Sequence, residues 1–327
     1  MSFDSVVGHA RVVEHLRSLL TADRLPHACL LHGEEGIGKY CVARYTALAR
    51  LCSAAPADAC GRCHDCRLGL AGAHPDLHAL DEPEAVSLRI EQIRELIALS
   101  ARTPYRARGR TFLVRDAHRL TEEAQNALLK TLEEPPPGCV LLLTSGRPEG
   151  LLPTIRSRCQ EFGMRPLSIP DATTVLERSG CPPERVGLLA RISGGAPGKA
   201  LALEAGGFLE LRAALLDLVG GDAADPLETA EQVLARVKTG ETGVRGRTEM
   251  LVELWISVLR DLLVLGVGAA DTLVWHHDLE PRLGAVAARR TPRELETRIE
   301  AAGRALRALA VNASAELVLS DLALALA

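Results

Sequence analysis

The stretch Leu30-Leu31-His32-Gly33-Glu34-Glu35-Gly36-Ile37-Gly38-Lys39-Tyr40 constrains the fold more than any other part of the chain. An apolar run able to form a buried strand feeds a glycine-rich turn, and a lysine stands where the next helix begins, as in a phosphate-binding loop. The pattern G-x-x-x-x-G-K-[ST] is met everywhere except at its last position. In such a loop the glycines let backbone N–H groups face phosphates, the lysine reaches the β- and γ-phosphates, and the final hydroxyl ligates Mg²⁺. Tyr40 offers a rigid phenol, too long to replace Ser or Thr as a metal ligand beside the backbone. Gly33, Gly36, Gly38 and Lys39 are therefore candidate nucleotide-binding residues in a degenerate loop that lacks one metal ligand. A chance match is the competing reading of the loop alone, and the rest of the chain bears on it.

Elements of alternating type surround this loop. Val12, Val13, Leu16, Leu19 and Leu20 have helical spacing, and Arg24-Leu25-Pro26-His27 breaks that helix before a strand at 28–31. A helix is expected over 39–51 and another over 88–100, where Ile90, Ile93, Leu96, Ile97 and Leu99 line one face. Residues 102–110 make a basic loop with Arg102, Arg106, Arg108 and Arg110; it reads as a solvated turn, or as a contact for phosphates or an acidic partner. Residues 111–114 are the next strand. A nucleotide hydrolase would follow that strand with an acidic Mg²⁺ ligand and a general base, whereas here Arg115 precedes Asp116, so a second metal ligand is missing. Thr121 can cap a helix over 124–134 that ends at Pro135-Pro136-Pro137, and residues 140–143 form a third strand. Strands alternating with helices imply a mostly parallel sheet with a ligand crevice at its carboxyl edge.

Cys52, Cys60, Cys63 and Cys66 follow the 39–51 helix in a C-x₇-C-x₂-C-x₂-C array. Spacings this short let sulfurs converge on a tetrahedral ion, and the array reads as a structural Zn²⁺ site. Unliganded thiols, or a site in which His64 or His74 replaces Cys52, are the alternatives. Four thiolates would close the coordination shell and leave no place for a catalytic water.

Composition narrows the function classes. A length of 327 residues implies two or three domains, and 47% apolar residues with only 3% aromatics favours a largely helical protein. The net charge of -4 argues against a general nucleic-acid coat, and nine Phe, Tyr and Trp residues are too few for a platform that stacks single strands. No export leader is apparent, so a cytoplasmic location is expected. The most apolar late stretch, 251–270, holds Glu253, Arg260 and Asp261, and reads as a buried helix, with Trp255, Leu259, Leu262 and Leu263 as core, not as a membrane span.

Arg24 to His27, Gly33 to Lys39, Ala127-Leu128-Leu129-Lys130-Thr131-Leu132-Glu133-Glu134-Pro135-Pro136, Thr144, Ser157-Arg158-Cys159 and Asn312-Ala313-Ser314-Ala315-Glu316-Leu317 together resemble the ordered motifs of AAA+ clamp-loader subunits of bacterial DNA polymerase III. The resemblance covers nearly the whole chain. It implies an α/β AAA+ P-loop domain, a small helical lid and an all-α collar, and it places the cysteines as in the gamma/tau and delta-prime subunits. The departures point to the delta-prime branch, the non-hydrolysing wall of the ring: Tyr40, Arg115-Asp116, and Gly198 where the motor subunits carry a sensor arginine. Lys199 beside it offers an alternative phosphate contact.

The resemblance further implies that Arg158, bracketed by Ser157 and Cys159, is an arginine finger acting in trans on a neighbour's ATP, and that Thr144 belongs to the nucleotide site. Pairing with Glu161 or capping a helix is the structural alternative for Arg158, and an extended segment would turn Arg156 elsewhere. The implied partners are gamma/tau ATPase subunits, the delta subunit and the sliding clamp, with primer–template DNA met only inside the complex and no membrane. The expected division is 1–164 for the AAA+ domain with its zinc module at 52–66, 165–207 for the lid and 208–327 for the collar, whose helices are expected near 208–219, 227–238, 247–266, 280–288 and 292–326. An active gamma-type ATPase and a zinc-dependent DNA-binding module are the rival readings.

Overall fold

The computed structural model describes residues 3–326 apart from 56, 83–84, 86, 222–224, 239–243, 270–272 and 311–312. The chain packs as two compact units, Met1–Val175 with Gly195–Gly198, and Leu176–Gly194 with Lys199–Ala327.

In the first unit β1 (Ala28–His32), β2 (Leu77–Leu80), β3 (Thr111–Val114), β4 (Val140–Ser145) and β5 (Gln160–Gly163) form a sheet in the order β2-β3-β4-β1-β5, with every pairing parallel. Alternation along the strands divides the core in two. Leu30, Phe112, Val114, Leu141 and Leu143 pack with residues of α4 (Ile90–Ser100) and α5 (Glu122–Glu133). Cys29, Leu31, Leu113 and Leu142 pack with residues of α1 (Ala10–Thr21) and α2 (Lys39–Leu51). Helices therefore cover both faces, as an all-parallel sheet requires.

The sequence pattern picks out β1, β3 and β4 and passes over β2 and β5. Those two are the edges of the sheet, only partly buried, and Gln160-Glu161-Phe162-Gly163 lacks the continuous apolar run of an interior strand. Thr121 caps α5 as expected, its hydroxyl accepting the Ala124 N–H at 3.3 Å. Two shorter helices complete this part, α3 (His64–Leu70) within the cysteine array and α6 (Pro153–Arg156) ahead of Ser157. The segment leading to Arg158 is thus a helical turn, not an extended stretch.

The remainder of the chain is helical: α7 (Ile169–Arg178), α8 (Pro183–Ile192), α9 (Pro197–Ala205), α10 (Arg212–Gly220), α11 (Pro226–Lys238), α12 (Val244–Gly266), α13 (Glu280–Ala287), α14 (Pro292–Ala310) and α15 (Ala315–Leu326). Trp255, Leu259 and Leu262 are fully buried, the core role their spacing suggested. The single helix expected over 292–326 is two helices, because Ser314 supplies a preferred cap residue just ahead of α15. Asn312 lies outside the described residues.

The second unit also buries a polar cluster that spacing did not reveal. Asp261, fully buried, accepts the N–H groups of Trp275 and His276, each at 2.8 Å, and His276 Nε2 lies 3.0 Å from Ser257 Oγ. Arg212 donates to His276 Nδ1, which fixes the proton on Nε2, and burial pushes the imidazole down to about 4. With the serine hydroxyl turned to the Leu254 carbonyl at 2.6 Å and an arginine where a hydrolase would carry a carboxylate, the cluster fastens the 274–278 segment and provides no nucleophile.

Candidate functional site

Three groups of sequence-selected residues come together at different places on the first unit. The phosphate-type loop joins β1 to α2. Gly33 (φ 143°), Gly36 (φ 77°) and Gly38 (φ 98°) hold backbone conformations that other residues rarely adopt, and a Cβ on Gly33 would lie 2.2 Å from the Met164 carbonyl oxygen. The loop's polar groups bond both within it and to neighbouring segments. The Gly198 N–H donates to the Gly36 carbonyl at 2.8 Å, His9 Nε2 reaches the Ile37 carbonyl at 2.8 Å, and Lys39 Nζ donates to the Glu34 carbonyl. Lys39 is buried, and desolvation lowers its pKa. A Cβ at Gly198 would stand 2.9 Å from Gly36 Cα, so no side chain fits there without displacing the loop.

Where a hydrolase would place its metal ligands, this chain stacks a cation on an aromatic ring. The Arg115 guanidinium lies 5.2 Å from the centre of the Tyr40 ring and pairs with Asp81 at 3.0 Å and Asp116 at 3.6 Å. Burial raises the Tyr40 phenol, and its hydrogen bond to Asp81 adds to the shift. Thr144 is buried at the end of β4 beside Leu31, its hydroxyl accepting the Asp116 N–H at 3.0 Å. The ammonium of Lys199, the expected alternative phosphate contact, pairs with Glu253 at 3.0 Å.

The second group is the cysteine array. Cys52 ends α2, Cys63 caps α3, Cys66 lies in the first turn of α3, and Cys60 sits in the turn between. The four sulfurs all lie within 4.8 Å of one another, with Cys52 and Cys63 3.9 Å apart and Cys60 and Cys66 4.0 Å apart. Four sulfurs about 2.3 Å from a tetrahedral zinc would be separated by about 3.8 Å, so the donor set fits such an ion. Backbone N–H groups of Ala55, Cys63 and Cys66 point at the sulfurs of Cys52, Cys60 and Cys63, each at 3.3 Å. The Arg62 and Cys63 N–H groups lower the Cys60 thiol, while at Cys63 burial is outweighed by the Cys66 N–H and adjacent sulfurs, which bring it down to about 6. His74 is not a fourth ligand: its Nδ1 accepts the Asp76 N–H at 3.0 Å and its Nε2 faces Asp65. His64 is exposed and outside the cluster.

The third group surrounds Arg158. Its Nη1 donates to the Thr154 carbonyl at 2.9 Å and to Ser157 Oγ at 3.3 Å, and its Nη2 pairs with Glu133 at 2.6 Å. Glu161 pairs instead with Arg156, at 2.9 Å. His27, Leu132, Glu133, Ser157 and Arg158 line an open cleft of about 620 Å³. The Cys159 thiol is largely buried, and desolvation raises it to about 12, so it packs and does not react at neutral pH.

One organising residue escaped the sequence reading. Gln125, buried in α5, donates to the carbonyls of Leu120 (3.1 Å) and Gly150 (3.2 Å) and accepts the Leu152 N–H at 2.7 Å, tying α5 to the chain just ahead of α6 and Arg158. Gln125→Leu would take the partner from three backbone groups, one buried and two part-buried, and urea unfolding is expected to show a loss of about 1–3 kcal/mol. A change under about 0.5 kcal/mol would mean that water or a rearranged loop satisfies them.

Comparison with known proteins agrees with this arrangement. Residues 8–168 match the family model described as DNA polymerase III, delta subunit. DNA polymerase III subunit delta' of Pseudomonas aeruginosa is 39% identical over 198 residues, covering 58% of this chain and 60% of that protein. The Bacillus subtilis subunit delta' is 28% identical over 322 residues, covering 97% of this chain and 95% of that protein. These matches support a clamp-loader delta-prime family member. The tau subunit of Escherichia coli is 34% identical over 209 residues, 62% of this chain and 32% of that subunit. A five-stranded parallel sheet whose first strand leads into a phosphate-type loop, followed by helices, is the α/β P-loop arrangement that the sequence implies. Among the described residues no helix is long and apolar enough to cross a membrane.

Proposed function

We propose that this chain is the delta-prime subunit of a DNA polymerase III clamp loader, a subunit that hydrolyses no ATP itself and supplies Arg158 in trans to a neighbouring ATPase. The observation that carries the reading is the Arg158 guanidinium on an open cleft beside Glu133, in a chain that sets Arg115 on Tyr40 where a hydrolase would place metal ligands. Phosphoryl transfer depends on a cation bridging the β- and γ-phosphates. An Arg115 guanidinium stacked on Tyr40 puts a fixed positive charge where that cation's ligands should be. A planar fork with donors to spare, by contrast, suits the spread charge of a transferring γ-phosphoryl group.

In this reading residues 1–164 form the AAA+ domain, 165–207 the lid and 208–327 the collar that joins gamma/tau and delta subunits. The sliding clamp and primer–template DNA are met within that assembly, in the cytoplasm, and Cys52, Cys60, Cys63 and Cys66 hold a structural Zn²⁺. A gamma-type motor is the rival reading, and Lys39 separates the two. Lys39→Ala in the reconstituted loader is expected to leave ATP turnover and clamp loading within about twofold of wild type, with no turnover by the isolated chain. A fall to background would show that the loop works as a motor.

A further inference from the structure

The basic loop at 101–110 is held far more firmly than a solvated turn requires. Asp76, fully buried at the mouth of β2, accepts three backbone N–H groups: Tyr105 at 2.7 Å on one oxygen, Arg106 at 2.7 Å and Ala107 at 2.8 Å on the other. Arg110, also buried, donates to the carbonyls of Arg102 (3.1 Å) and Thr103 (2.9 Å) and contacts His78 at 3.0 Å. Arg106 pairs with Asp65 at 3.1 Å, and Asp65 lies in α3 between two of the clustered cysteines. Gly109 is pressed on Gly138, where a Cβ would meet the carbonyl oxygen at 1.9 Å.

The four arginines thus divide by task. Arg110 is a buried brace, and Arg106, though exposed, is tied to Asp65. Arg102 and Arg108 are exposed, and among the described residues their guanidinia have no hydrogen-bond or ion-pair partner. Between them stands Tyr105, 79% exposed, the most exposed large apolar side chain among those described. No acidic residue occurs between Glu95 and Asp116, whereas five arginines do. Two buried charged side chains and a layer of backbone bonds are spent on holding a tyrosine and two free cations in water. Such an arrangement gains by binding, because a loop ordered in advance loses little entropy when it docks.

We infer that this loop is a preformed docking element for an acidic protein surface, with the Tyr105 ring seated in an apolar recess and Arg102 and Arg108 paired with carboxylates around it. Tyrosine and arginine on a rigid support are the residue types that concentrate binding energy at protein interfaces. Nucleic acid is the poorer fit. Two outward guanidinia and one ring fall short of the roughly six to ten phosphate contacts that track a backbone. The inference stands on the loop alone and requires no nucleotide chemistry.

The test uses the full chain and two labelled probes of equal charge, a glutamate–tyrosine copolymer peptide and an oligothymidylate, read by fluorescence anisotropy at low salt. The peptide is expected to bind wild type about tenfold more tightly than Arg102→Glu/Arg108→Glu, with Tyr105→Ser intermediate and the oligothymidylate varying less across the three. All three positions are exposed, so equal melting temperatures will show that folding is unaltered; Arg102→Gln/Arg108→Gln repeats the comparison with a milder change. Equal peptide affinity for every variant, or a larger loss for the oligothymidylate, overturns the inference.

Discussion

Replacing Arg158 with alanine is expected to slow ATP hydrolysis by roughly 10³- to 10⁵-fold at the one site it faces in the assembled loader, while folding and metal content stay as they are. The side chain is one-third exposed, its bonds to Thr154 and Ser157 are local, and its pair with Glu133 is solvated. An exposed pair of this kind contributes about 0–1 kcal/mol, so its loss does not endanger the fold. Other sites would keep their own arginines, and total turnover should fall only in part, whereas clamp loading, which needs the whole ring, should fall much further. Arg158→Lys is expected to rescue poorly, because a point charge cannot reproduce the planar fork held by Thr154 and Ser157. The measurement is steady-state ATPase together with clamp loading on primed DNA by complexes of verified stoichiometry. Unchanged loading by a fully assembled Arg158→Ala complex would refute the role.

What could be read from the sequence followed how local each signal is. The loop from Gly33 to Lys39, the helix stop at Pro135, and the cysteine array are set by neighbours in the chain, and the structure shows a strand–loop–helix, an α5 ending at Glu133, and four converging sulfurs. The edge strands were not legible, since β2 and β5 owe their state to pairing with β3 and β1 and not to an apolar run of their own. Nor were the long-range polar contacts. Nothing near Gln125 marks it as the anchor of Leu152, and nothing near Asp76 predicts that it gathers the N–H groups of residues 105–107. Arg158 illustrates the same limit: its partner Glu133 is 25 positions away at the end of α5, while Glu161, close in sequence, belongs to Arg156.

Loss of metal from the cysteine array should have the second large effect, and Cys63→Ser isolates it. Cys63 does two things, contributing a sulfur to the cluster and capping α3 by accepting the Cys66 N–H at 3.3 Å. Serine is among the best residues at such a cap, so the substitution preserves the helix start and removes a soft ligand. Purified wild-type protein is expected to carry about one zinc per chain, and Cys63→Ser well under half of that. Because structural zinc binding is folding free energy, about 10–16 kcal/mol in isolated zinc peptides, even a fraction of it would be felt here as a melting temperature lowered by many degrees. The damage should be local at first. Leu48 and Ala59 pack with Cys52 and Cys66 of the array in a small buried cluster, and α3 carries Asp65, the partner of Arg106. Hydrogen exchange should therefore rise through residues 52–70 and in the loop at 101–107 before it rises in β1 or β4. ATP turnover by a reconstituted complex at a temperature where the variant stays folded should be unaffected, since a site closed by four thiolates has no position for a reacting water. Zinc-free wild type with unaltered melting, or Cys63→Ser with full zinc content, would show that these sulfurs converge for packing alone.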